Sequence, residues 1–237
     1  MKGIYDIIIT TTAVNRMDLH TRVFTKYIDF LSGVNCKWII NIDTVCEENM
    51  ADTVNNLLSL LSLNLSNYQV DHEVKILPNK GNLDVHIITN NSGGTPEHFY
   101  NSCQRVINES ILYTPKFGYL LLEDDWEYIG GLKLSDIMKT PIQPYDYIQL
   151  VQRNSNILSF NPGIWGTDLW NDICYKKIQT PFSTSVQNPE RQCVYPISET
   201  NTLVSNHMTQ YLFYDVGRVW ATNNSMYRTY KKHKMNK

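Results

Sequence analysis

Short runs of β-branched and aliphatic residues recur along the chain, and stretches with apolar residues at helical spacing separate several of them. The runs are Asp6 to Thr10 (DIIIT), Lys37 to Ile42 (KWIINI), Val85 to Thr89, Tyr119 to Leu122 and Tyr147 to Val151. Runs with no polar alternation belong to strands covered on both faces, the condition of a parallel sheet wrapped in helices. From Asp18 to Leu31 the apolar Leu19, Val23, Tyr27, Phe30 and Leu31 define an amphipathic helix, which Gly33 closes. Further helices are predicted from about Glu48 to Leu63 and from Pro96 to about Leu112. This rhythm predicts an α/β fold with a mostly parallel central sheet flanked by helices. After about Asn154 the pattern loosens into Pro-, Asn- and Ser-rich segments, so an irregular lobe facing the substrate is expected there. No linker or internal repeat divides the chain, and a single domain is expected.

Composition narrows the function classes. With 42% hydrophobic and 19% charged residues in 237, the chain can bury enough surface to offset its ordering entropy. The 21 basic and 23 acidic residues leave a formal charge of -2, without the basic excess that a nucleic-acid partner favours. No run reaches the roughly 18–20 apolar residues of a membrane span; the richest late stretch, Leu57 to Leu65, is broken by Ser59, Ser62 and Asn64. No cleavage site follows the apolar N-terminal run, so no leader is expected. Cys36, Cys46, Cys103, Cys174 and Cys193 are odd in number and include no CxxC pair, a pattern that suits reduced thiols and a cytoplasmic location.

The segment richest in chemistry is Leu120-Leu-Leu-Glu-Asp-Asp-Trp126. Consecutive carboxylates after a buried strand repel one another unless something offsets their charge. At the carboxyl end of a parallel strand, where α/β sheets bind ligands, such oxygens suit a hard divalent cation, Mg²⁺ or Mn²⁺. A solvated acidic turn in which an Asp caps the next element is the plain alternative.

A first strand ending in a Thr-rich loop, a second ending in Asp43 and a fourth running into Glu123-Asp124-Asp125 together resemble the GT-A glycosyltransferases, including small domains encoded by large DNA viruses of algae. The resemblance covers about Asp6 to Gly166. It implies a GT-A, Rossmann-like fold with a nucleotide-sugar half at about 1–126 and an acceptor half at about 127–237. It also implies a donor that is a nucleoside-diphosphate sugar (UDP favoured), a glycan or glycoprotein acceptor, and Mn²⁺ or Mg²⁺ as cofactor. Thr10, Thr11, Thr12 and Arg16 would then hold the nucleotide, with Asp43 accepting from base or ribose. Glu123 and Asp124 would face the donor, and Asp125 would bind the metal, with His207 as a further ligand.

The acceptor side would come from Ser159 to Trp170 (SFNPGIWGTDLW). Trp165 and Trp170 offer flat apolar faces that pack on a sugar ring as readily as in a core. Thr167 or Asp168 can cap a short helix starting near Leu169. For an inverting displacement Asp168 is the expected base, with Asp172 and Glu190 behind it. Two rivals remain. A sugar-nucleotide nucleotidyltransferase would carry a Gly-rich basic loop after the first strand, where this chain has Thr-Thr-Thr-Ala-Val-Asn-Arg. A carbohydrate-binding or assembly protein without enzymatic activity would show no nucleotide affinity. The P-loop, GxSxG, HExxH and GxGxxG patterns are absent.

Overall fold

Ile7, Ile8 and Ile9 are fully buried, and every residue of the neighbouring strand Cys36–Asp43 is buried as well. Strands buried on both faces need helices above and below them. The computed structural model describes residues 3–44, 49–61, 73–76, 83–90, 96–151, 157–158, 160–183, 195–196 and 211–217. In chain order the elements begin β1 (Ile4–Val14), α1 (Met17–Phe30), β2 (Cys36–Asp43), α2 (Met50–Leu60), β3 (Glu73–Ile76) and β4 (Leu83–Asn90). Next come α3 (Pro96–Ser110), β5 (Thr114–Glu123), β6 (Trp126–Tyr128), α4 (Leu134–Ile137), β7 (Tyr147–Gln149) and β8 (Ile157–Leu158). After β9 (Gly163–Trp165), α5 (Thr167–Leu169) runs through a π-helical stretch (Trp170–Tyr175) into α6 (Lys176–Ile178), followed by β10 (Tyr195–Pro196) and β11 (Phe213–Asp215).

The main sheet has seven strands in the order β3-β4-β2-β1-β5-β9-β7. β4, β2, β1 and β5 are parallel, while β3 and β9 run against their neighbours. The fold is therefore α/β with a mostly parallel central sheet flanked by helices, as the sequence pattern predicts. No helix among the described residues is long and apolar enough to cross a membrane.

Alternation along the strands divides the core into two layers. Ile7, Ile9, Trp38 and Ile40 pack with Val23, Phe24 and Tyr27 of α1 and Leu57 of α2. Ile8, Ile39 and Leu121 face the other way, toward Tyr100 and Ile107 of α3 and toward Trp165 and Trp170. Local chemistry starts and stops these helices. Asn49 caps α2, its side chain accepting from Ala51 N at 2.8 Å and Asp52 N at 3.3 Å. After α1, Gly33 takes a φ of 85°, a left-handed conformation that glycine adopts without steric cost.

Within the main sheet, two strands depart from the sequence reading. β3 has no counterpart in it. β9 lies between β5 and β7, so the Asn-Pro-Gly stretch leads into the main sheet rather than into an irregular lobe. Because β9 pairs Trp165 with Tyr119 and Gly163 with Leu121, it carries the chain back toward the amino ends of the parallel strands.

Those amino ends hold a buried charge. Lys37 of β2 is fully buried, with its Nζ 3.1 Å from Asp84 Oδ1 and 4.9 Å from the centre of the Tyr113 ring. Tyr5 donates its hydroxyl to the same carboxylate. Removing one partner of a buried pair leaves an uncompensated charge, whereas replacing both by packed apolar groups is often neutral. Asp84→Ala is therefore expected to destabilise the fold by about 3–5 kcal/mol, and Lys37→Met with Asp84→Leu by far less. Urea unfolding of the two variants checks this, and equal losses would contradict it.

Candidate functional site

At the carboxyl end of β5 the three acidic side chains have three different environments. Glu123 Oε2 accepts from Trp126 Nε1 at 2.9 Å. Asp124 is buried and accepts a two-pronged hydrogen bond from Arg16, Nε to Oδ2 at 3.0 Å and Nη2 to Oδ1 at 2.6 Å. Val14 N also donates to Asp124 Oδ2 at 3.0 Å, and His20 Nε2 lies 3.5 Å from that oxygen. Burial opposes ionisation of Asp124, but Arg16 and His20 outweigh it and hold the carboxyl well below its ordinary range.

Asp125 has a different balance of charge. Its side chain is 34% exposed, and Arg16 Nη2 is 3.9 Å away. Partial burial, together with the neighbouring Asp124 and Asp215 carboxylates, pushes its pKa up to about 7, and Arg16 opposes the shift. Its carbonyl accepts from Val216 N at 2.8 Å and Gly217 N at 3.2 Å. β11 pairs with β6, setting Asp215 opposite Trp126, and so returns a late segment of the chain to the acidic turn. Across the turn, the buried Tyr27 hydroxyl lies 2.5 Å from the carbonyl oxygens of both Glu123 and Trp126 and shares its single proton between them.

A second polar group lies on the sheet face covered by α3. Alternation turns Thr10 and Thr12 of β1 to that face, and parallel register sets Thr12 beside Asn41 and Asp43 beside Asn90. Ser102 of α3 donates to Asp43 Oδ2, and Arg105 Nη1 lies 3.9 Å from Asp43 Oδ1. The side-chain amides of Asn41 and Asn90 meet. Thr10 Oγ1, Asn41 Nδ2 and Asp43 Oδ1 are buried with no hydrogen-bond partner among the described residues. Buried polar atoms are rarely left so, and a water, an ion or a polar ligand is among the partners that such atoms take.

The remaining expected site residues are distributed as follows. Thr11 faces the α1 layer, where its Oγ1 accepts from Trp38 Nε1 at 2.9 Å, so it does not share the face of Thr10 and Thr12. Arg16 lies at the carboxyl ends of the strands as expected, but its guanidinium is engaged by Asp124. Trp165 and Trp170 are 1% and 0% exposed, and Trp170 stacks on Tyr119 with ring centres 4.9 Å apart. Neither therefore presents a face to a sugar, which corrects the expected acceptor platform.

Asp168 and Asp172 are corrected as well. The antiparallel course of β9 delivers them to the amino ends of the parallel strands, where Asp168 N donates to Pro144 O at 3.0 Å, just before β7. That end of the sheet is opposite Asp125, which removes the geometric basis for a base acting there. The helix N-cap is Gly166, with no side-chain cap, in place of Thr167 or Asp168. Asp172 is exposed, accepting from Tyr145 Oη and from Lys176 Nζ, each at 2.5 Å. Glu190 and His207 lie outside the described residues.

Sequence reasoning missed Tyr27, His20, Asn41, Asn90, Ser102, Arg105 and Asp215 as neighbours of these groups. Strand alternation from Thr12 and Asp43 could have flagged Asn41. No local signal marks the Tyr27 hydroxyl, because Tyr27 sits on the apolar stripe of α1. No group of three or more metal-ligating side chains is found among the described residues. No protein-family model matches the chain, and no curated protein matches it at significant similarity.

Two outcomes are expected. Tyr27→Phe removes the hydrogen bond to the turn and leaves buried carbonyl oxygens short of a donor, so it should cost about 1–3 kcal/mol in denaturant unfolding. Loss below 0.5 kcal/mol would contradict this role of the Tyr27 hydroxyl. The second outcome concerns pH. A carboxyl whose pKa is raised in the folded state binds its proton more tightly there than when unfolded. Its contribution therefore makes stability fall as pH rises from the ordinary Asp range, about 4, to about 7. Asp124 acts oppositely, since its stabilisation is present above the ordinary Asp range and is lost as pH falls through and below it. In EDTA, Asp125→Asn should flatten the decline in melting temperature across pH 5–7 that the first effect produces.

Proposed function

We propose that the protein is a metal-dependent glycosyltransferase of the GT-A type, moving a sugar from a nucleoside-diphosphate sugar, UDP favoured, to a hydroxyl of a glycan acceptor. The observation that carries this reading is the pairing of two features at the carboxyl ends of the parallel strands. One is an acidic turn whose Asp125 carboxylate is left short of compensating charge. The other is a set of buried polar atoms on the α3 face, Thr10 Oγ1, Asn41 Nδ2 and Asp43 Oδ1, that have no hydrogen-bond partner among the described residues. Crevices outside the carboxyl ends of such strands are where α/β sheets bind nucleotides.

The donor set near the turn suits a hard divalent cation. Asp125 offers carboxylate oxygens, Asp215 adds a second carboxylate close enough to raise the first, and the local excess of negative charge favours a cation. Mn²⁺ or Mg²⁺ bound through Asp125, with Asp215 contributing, would stabilise the departing diphosphate as a Lewis acid. Arg16 is committed to Asp124 and so supplies little charge of its own to a phosphate. Thr10, Thr12, Asn41 and Asp43 would hydrogen-bond base or ribose, with Ser102 and Arg105 orienting Asp43. Glu123, tied to Trp126, shapes the turn.

The nucleotidyltransferase alternative gains no support from the loop after β1. Val14 N, at the end of β1, and Arg16 just beyond it fold back onto Asp124 instead of opening toward a triphosphate.

Titration with UDP and GDP, with and without Mn²⁺, tests the reading. Wild-type protein should bind one of them at least about tenfold more tightly with metal present. Asp125→Ala should abolish that enhancement while leaving the circular dichroism spectrum unchanged. Equal affinity in wild type and variant with metal present would overturn the assignment of Asp125, and no nucleotide affinity at all would favour the non-enzymatic reading.

A further inference from the structure

The acidic turn is gripped from several sides, through main-chain carbonyls and through the Asp124 carboxylate. Tyr27 holds the carbonyls of Glu123 and Trp126, Val14 and Arg16 hold Asp124, and Val216 and Gly217 donate to the Asp125 carbonyl. None of these contacts sets the direction of the Asp125 side chain, and Arg16 Nη2, at 3.9 Å, is too far to fix it by a hydrogen bond.

What borders that side chain is Gly217. A Cβ placed on Gly217 would fall 2.4 Å from Asp125 Oδ2, 2.6 Å from its Cβ and 2.8 Å from its Cγ. All three of these nearest atoms belong to Asp125, and the approach is closer than any real methyl group can make. Gly217 is not among the described glycines with positive φ, which are Gly33, Gly130 and Gly131. The backbone would accept another residue there, so it is the space that demands glycine. The chain leaving β11 thus lies against the Asp125 carboxyl while donating two hydrogen bonds to the same residue's carbonyl.

We propose that Gly217 is a positioning residue for the acidic site: its bare Cα lets the Asp125 carboxyl rest against the main chain after β11 and holds it toward the position that a cation and diphosphate would share. Gly217 itself touches neither. The inference rests on the cation reading for its functional consequence, but not for the coupling between Gly217 and Asp125, which is a matter of packing alone.

A double-mutant cycle separates the two. The variants are Gly217→Ala, Asp125→Gly, which removes all three obstructing atoms, and their combination. Mn²⁺ affinity is read without nucleotide from the electron paramagnetic resonance of the free ion, and melting temperature is read in EDTA. Gly217→Ala should weaken Mn²⁺ binding about 10-fold or more, as loss of supporting contacts around metal ligands commonly does. It should also lower the melting temperature in the wild-type background and change it little in the Asp125→Gly background. Wild-type Mn²⁺ affinity in Gly217→Ala, or an equal fall in melting temperature in both backgrounds, would overturn the proposal. If the wild-type protein takes up no Mn²⁺, the cation reading fails, and the stability cycle alone decides the coupling: non-additivity supports it and additivity overturns it. Should Gly217→Ala fail to fold, a folded double variant supports the proposal and an unfolded one overturns it.

Discussion

The buried pairing of Arg16 with Asp124 joins the loop after β1 to the end of β5, and the geometry at the carboxyl ends of the strands depends on it. Two parallel bonds from one guanidinium fix both distance and orientation, which a lysine in the same place would not do. Val14 N adds a main-chain donor, so the carboxylate also serves as a cap for the chain leaving β1. With Asp124 neutralised in this way, the turn can carry a second carboxylate at Asp125 without two bare charges on adjacent residues. The repulsion that the sequence presents at this point is thus resolved unequally, with one group satisfied within the fold and its neighbour left short of charge.

That asymmetry divides roles among residues that look alike in sequence. Glu123 and Asp124 are structural in what they touch, bonding Trp126 and Arg16 respectively. Asp125, with Asp215 beyond it, is the part of the cluster that the proposed function assigns to a cation. On the α3 face the same economy holds, since Asp43 is half-satisfied by Ser102 while its other oxygen has no hydrogen-bond partner among the described residues. The glycosyltransferase reading draws on these two unsatisfied places together, because a nucleoside diphosphate brings both negative phosphates for a cation and a polar base and ribose for such a pocket.

Hydrophobic periodicity made much of the sheet legible. The runs at Ile7, Trp38, Val85 and Leu120 became β1, β2, β4 and β5, and the stripe Leu19, Val23, Tyr27 and Phe30 became the buried face of α1. These elements are local in origin, since burial on both faces or along one stripe demands a pattern that neighbouring residues must carry themselves. The acidic turn was legible for a related reason, because carboxylates crowded against a buried strand need an explanation wherever the chain folds.

What the sequence by itself determined was therefore the class of fold, the place of the acidic turn and the polar ends of the first two strands. Only tertiary structure decided the direction of β9, and with it the removal of Asp168 and Asp172 to the far end of the sheet. It also decided that Trp165 and Trp170 are core, that Arg16 is engaged by Asp124, and that Gly217 lies on Asp125. The physical reason is common to all of these. Periodicity records which side chains must leave water, but strand direction, ion-pair partners and a glycine's close neighbour depend on segments far apart in the chain, and nothing in the sequence near either partner encodes the meeting.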